Sequence, residues 1–182
     1  MHTKMINLGL CAGLLLSSGV VVADQAPGAA QHENGDRAFL EKALGVNQLE
    51  LQLGQLAGQR ATTPEVKAMG EKMVQKHTEL GQQLADLARQ SGGSGQPELS
   101  PQQRAIYDLV ASKKGSDFDA MFKEVVDGGH VKELAMYRDE VSRAKSTALR
   151  ELAQRRVATL EQNVAQANKP KSEPKQQPSQ DW

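Results

Sequence analysis

The chain has a single cysteine in 182 residues, Cys11, and very little aromatic surface: one Trp, two Tyr and three Phe. Cys11 lies inside the first apolar run, so the remainder offers no thiol nucleophile, no thiolate metal site and no disulfide. An excess of one charge is missing too, with 22 bases against 22 acids. With no basic surplus to neutralise phosphates, and aromatics at 3% for stacking on bases, nucleic acid is not an expected partner. The sequence contains no Cys-x-x-Cys-His haem motif, no Gly-rich phosphate loop after a strand and no marked serine nucleophile. Beyond residue 22 there is no long apolar run, so no transmembrane segment is expected in the mature chain.

The one apolar run that exists starts at Ile6, just after the basic Lys4, and ends at Val21-Val22-Ala23. A short basic start, an apolar stretch and a small-residue cleavage site make a secretory signal peptide of residues 1–23. Leu10 precedes Cys11 where lipid attachment needs a small residue, so a lipoprotein is not expected. Removing residues 1–23 takes away one base and no acid, leaving 21 bases against 22 acids. The mature chain, about 160 residues, suits one domain with an ordinary core. A secreted, periplasmic location follows as the expectation.

Residues 24–35 read as a polar, disordered leader, and a helical bundle as the content of 36–168. A first helix is expected from near Asp36 to about Arg60, burying Phe39, Leu40, Ala43, Leu44, Leu53, Leu56 and Ala57. Thr63-Pro64-Glu65 supplies an N-cap, a proline at the first helical position and an acid for the helix dipole. That second helix keeps Val66, Met69, Met73, Leu80, Leu84 and Leu87 on one stripe until Ser91. After a Gly-rich loop, Ser100-Pro101-Gln102-Gln103 has the capping-box pattern and opens a short helix through about Lys113. Gly115 ends it, and Ser116 or Asp117 is expected to cap a third long helix with Phe118, Phe122, Val126, Leu134 and Tyr137 inside. A fourth begins near Ser146 and uses Leu149, Leu152, Leu160 and Val164. Residues 169–182 form a proline-broken tail expected to be disordered. No strand-rich stretch appears; the fold class is all-α.

Each long helix carries one polar residue on its apolar stripe: Glu50, His77, His130 and Asn163. Burying such a group costs free energy unless it finds a partner. If the first two helices turn back near Thr62, Glu50 and His77 reach similar heights, as do His130 and Asn163 about a turn near Lys145. One reading is a structural polar layer whose members satisfy one another. The other is a divalent-metal site for iron, zinc or copper, made by Glu50, His77 and His130. Asp127, three residues before His130, would be a further ligand or orienting partner. A di-iron centre of the Glu-x-x-His kind is not expected, because Val74, Asp127 and Leu160 stand at the glutamate positions. Met69, Met73, Met121 and Met136 read as core filler, and Arg156 as a base that snorkels or pairs with an acid.

A resemblance to a known family rests on ordered blocks between about Asp36 and Ala167. Phe39-Leu-Glu-Lys-Ala43 followed by Leu49-Glu-Leu-Gln-Leu-Gly-Gln-Leu-Ala57 resembles the first helix of a bacterial secreted family of unknown function. Thr63-Pro-Glu-Val-Lys-Ala-Met-Gly-Glu-Lys-Met-Val-Gln-Lys-His77 resembles its second-helix block, and Ser116-Asp-Phe-Asp-Ala-Met-Phe122, continuing to His130, its third. That family is often labelled "predicted outer membrane protein", and the resemblance implies a ferritin-like antiparallel four-helix bundle, here with a short extra helix in the crossover between helices two and three. No lipid-facing strand pattern supports the outer-membrane label. Glu50, His77 and His130 carry over. Lys76 and Gly129 stand where the family usually has an acid before each histidine, and Asn163 where it usually has a third histidine.

Two functional classes follow. The first is a non-enzymatic, envelope- or stress-associated binding or structural protein. The second is a metal-binding or metal-dependent redox protein using Glu50, His77 and His130. Partner and oligomeric state, a homo-oligomer included, are left open by the sequence.

Overall fold

The computed structural model describes residues 27–169, with side chains from Gly35 onward. The predicted signal peptide and all but the first residue of the predicted tail lie outside the described residues. Five helices follow in order: α1 (Pro27–Arg60), α2 (Pro64–Gln90), α3 (Pro101–Ala111), α4 (Gly115–Arg143) and α5 (Thr147–Ala167). Among the described residues there is no strand, and the protein is all-α.

Helix starts follow local chemistry. The Thr63 side chain accepts from the Val66 amide, with proline directly after it. Ser100 and Gln103 complete a reciprocal capping box, and Ser146 accepts from the Leu149 amide. These bonds satisfy amides that would otherwise lack helical partners. Two starts differ from the expectation. α1 begins at Pro27 instead of Asp36, so residues 27–35 of the expected leader are helical. Proline at a first helical position is pre-organised, and extending an existing helix is cheaper than nucleating one. α4 begins at Gly115 with Lys114 before it and no side-chain cap, so neither Ser116 nor Asp117 caps it; Asp117 instead places its charge in the first turn.

α1 and α2 form one antiparallel hairpin, α4 and α5 another. Asp119 of α4 reaches the turn after α1, and Asp36 of α1 reaches the turn after α4. α1 and α4 therefore run in opposite directions, and α2 and α4 in the same one. A parallel pair needs a long crossover, and residues 91–114, with α3 inside them, supply it along α1. The crossover presses so closely on Gly45 that a Cβ there would stand 2.7 Å from the Glu98 carbonyl oxygen.

The interior divides into two apolar clusters. One gathers Leu40, Leu44, Leu84, Tyr137, Leu149 and Leu160 from α1, α2, α4 and α5. The other gathers Leu53, Val66, Val110, Phe118, Phe122 and Val126 from α1 to α4. Each large side chain fully buried in them contributes about 1.5–3 kcal/mol. Where the two clusters meet, α1 holds Asn47 and Glu50, α2 His77, and α4 His130 and Glu133, all buried. A polar layer separates two oily halves.

Candidate functional site

Glu50, His77 and His130 are 4%, 4% and 7% exposed. Glu50 Oε2 lies 3.2 Å from His77 Nε2, so α1 and α2 bring these two to one height. On the other side of the imidazole, Nδ1 stands 2.9 Å from Asn47 Oδ1, while Asn47 Nδ2 donates to the His77 carbonyl oxygen. That second bond fixes which end of the amide is oxygen, because only the amide nitrogen can donate to a carbonyl. Asn47 Oδ1 then accepts from Nδ1–H, and neutral His77 leaves a bare Nε2 3.2 Å from Glu50 Oε2.

Protonation follows burial. Burial, and then the charges of Arg156, His130 and Lys76, lower the His77 pKa to about 3. Burial and the neighbouring Glu133 carboxylate push Glu50 well above the usual carboxylate range, against the pull of Arg156. With its imidazole neutral near physiological pH, His77 does not form an ion pair with Glu50. The contact lacks hydrogen-bond alignment, and Glu50 Oε2 has no protein hydrogen-bond partner.

The second hairpin supplies the fixed charge. Arg156 of α5 donates from Nη2 to Glu133 Oε2 at 2.7 Å, with the two side chains 10% and 3% exposed. Its guanidinium carbon sits 5.7 Å from the Tyr137 ring centroid. Burial works against the Arg156 charge, but Glu133, Tyr137 and Glu50 outweigh it and raise its pKa. Burial raises the pKa of Glu133 despite Arg156 beside it. Arg156 thus pairs with an acid, one of the two roles its position suggested.

His130 faces the same layer. A Cβ on the preceding Gly129 would stand 3.7 Å from Glu50 Oε1, which sets α4 at the height of the Glu50–His77 contact. Burial, then Arg156 and Lys76, lower the His130 pKa to about 4. His130 Nε2 is 3.5 Å from Asn163 Nδ2. Asn163 is half-buried, not enclosed on the apolar stripe, because it lines a cleft of about 740 Å³ between α2, α4 and α5. His77, His130, Asp127 and Arg156 line that cleft too; Glu50 stands behind His77. Burial raises the Asp127 pKa, with Lys123 opposing.

Three of the four candidate ligands thus share one cleft, and the fourth touches one of them. Their atoms do not converge: among the described residues, no three His, Cys, Asp or Glu side chains are grouped to hold a metal ion. The donor set nonetheless has one feature that suits a metal, an imidazole oriented through its other nitrogen by Asn47.

Sequence reasoning missed Asn47 and Glu133. Glu133 lies three residues after His130 and four before Tyr137, on the same helical face, so spacing held the signal. Asn47 lies three residues before Glu50, the same kind of signal.

No curated protein and no solved structure matches the chain. A family model described as "Domain of unknown function (DUF4142)" matches residues 21–169, and with that share of its length the chain belongs to the DUF4142 family.

Proposed function

We propose that this chain is a secreted, periplasmic protein with a ferritin-like four-helix arrangement that works by binding, in an envelope- or stress-associated role, and not by catalysis. The parallel course of α2 and α4, with one long crossover between them, supports the ferritin-like reading. The buried Arg156–Glu133 pair is the observation that carries the binding reading. It places a permanent cation beside the layer's carboxyls, at the level where a ferritin-like protein would recruit metal. The layer's other polar groups engage one another, His77 with Asn47 and His130 with Asn163, which suits support of a site more than turnover. Metal analysis of untagged protein from the periplasm should give far less than one iron, zinc or copper per chain, and intact mass should place the mature N-terminus at Asp24. Stoichiometric metal would overturn the non-metal reading, and a mass retaining residues 1–23 the secreted one.

A second reading has its own observation, the bare His77 Nε2 standing 3.2 Å from Glu50 Oε2. On that reading a divalent ion joins these two atoms, with His130 and Asp127 of the same cleft as further ligands. Melts of wild type and His77→Leu, each with Zn²⁺, Fe²⁺ or chelator, separate the readings. A wild-type metal shift absent from the variant favours the metal; equal wild-type melts in metal and chelator remove it.

A further inference from the structure

We propose that the cleft between α2, α4 and α5 binds a multivalent oxyanion, held by Arg156 and Asn163 at its base and by Lys72 and Lys76 at its rim. The proposal deepens the binding reading of the same site and rests on it. The cleft carries a surplus of positive charge. Among the residues lining the cleft, four lysines and Arg156 face only Glu65 and Asp127, in a chain whose bases and acids are equal in number. Even with Arg156 set against Glu133, four lysines stand against two acids. The larger groove between α1 and α4 has no such bias, with four bases against three acids.

Arg156 also keeps an unmatched donor. Arg156 is only 9% exposed, and its Nε has no protein hydrogen-bond partner although Nη2 is engaged by Glu133. Leaving a buried charged donor unmade is costly; Nε itself is enclosed beside Tyr137, so an oxyanion would meet the part of the guanidinium that lines the cleft. Guanidinium suits carboxylate or phosphate oxygens, and lysines at the mouth add charge without fixing geometry. The Asn163 amide, half-buried beside His130, adds a neutral donor at the same level.

A volume of about 740 Å³ holds more than a bare inorganic ion, which points to an organic carboxylate or phosphoester as the ligand. Calorimetric and thermal-shift titrations of the metal-free protein, with chelator present throughout, use inorganic phosphate and citrate as probes and potassium chloride of equal ionic strength as control. Saturable binding of citrate, phosphate or both, absent with chloride, is expected. Tighter citrate binding identifies the carboxylate source, and tighter phosphate binding the phosphoester. Lys72→Gln and Lys76→Gln, both on exposed positions that leave the fold intact by circular dichroism, should each weaken binding about tenfold. No shift beyond the chloride control overturns the proposal, as do lysine variants that bind like wild type. Anion binding that appears only when Zn²⁺ or Fe²⁺ replaces the chelator also overturns it and favours the metal reading instead. Failure here leaves the metal-content result untouched, so the two readings fail separately.

Discussion

Replacing Arg156 with methionine keeps much of the side-chain volume but removes the only base hydrogen-bonded to Glu133 among the described residues. Glu133 is 3% exposed at its side chain, so water cannot take over the guanidinium's role. Glu50, already pushed towards its neutral form, loses the cation that opposes its burial. Breaking a buried pair by deleting one partner costs about 3–5 kcal/mol. For a domain of this size that lowers the melting temperature by roughly 6–20 °C. Urea unfolding followed by circular dichroism at pH 7.5 should give this loss. At pH 5 the loss should shrink, because a carboxyl stranded without its cation can take up a proton. Removing both charges, as Arg156→Met with Glu133→Leu, should recover most of the stability, and the double-mutant cycle should give strong coupling. A single variant within about 1 kcal/mol of wild type at pH 7.5 would refute this account of the layer. So would a double variant no more stable than the single.

Two further perturbations test other parts of the molecule. Burial, then the charges of Asp36 and Asp139, raises the Glu140 pKa to about 7. An acid whose folded pKa lies above its unfolded value of 4.5 favours the fold while protonated, and it withdraws that support as pH rises through the interval to about 7. Glu140→Gln should therefore match wild type near pH 4.5 and exceed it by about 1–2 kcal/mol at pH 8, after allowance for solvent screening, as urea midpoints will record. Glycine offers a test of sign. A Cβ on Gly70 would stand 2.7 Å from the Gly54 carbonyl oxygen and 2.7 Å from Ala57 Cβ, whereas nothing lies within 4 Å of one on Gly128. In thermal melts Gly128→Ala should gain about 0.5–1 kcal/mol from helix propensity, and Gly70→Ala should lose stability despite the same gain.

Much of the helical plan was legible in the sequence. Thr63, Ser100 and Ser146 announced three helix starts through short-range chemistry, and each makes its cap bond. Glu50, His77 and His130 interrupted apolar stripes, and their burial followed from that interruption. Illegible features depend on contacts between segments far apart in the chain. The start of α1 at Pro27 was hidden because Gly28, Asn34 and Gly35 carry the composition of a loop while helix extension overrides it. The part Glu133 plays depends on Arg156, twenty-three residues later on another helix. The cleft's charge combines lysines of α2 and α4 with Lys169, just past α5, and no single window contains them all.

Asp119 and Asp36 have a joint consequence. Asp119 accepts from the backbone amides of both Thr62 and Thr63, and Asp36 from those of Lys145 and Ser146. Each hairpin thus carries at one end the acceptor that the other's turn lacks, and the two clasps lie at opposite ends of the molecule. Neither hairpin can complete its own bend. Covalently they are joined only through residues 91–114, yet recognition between them is reciprocal and polar, as between the partners of a heterodimer that share one chain. A chain opened within the Gly92–Gly95 loop would still hold the instructions for its halves to find each other in a single register. The crossover contributes proximity; the aspartates contribute the address.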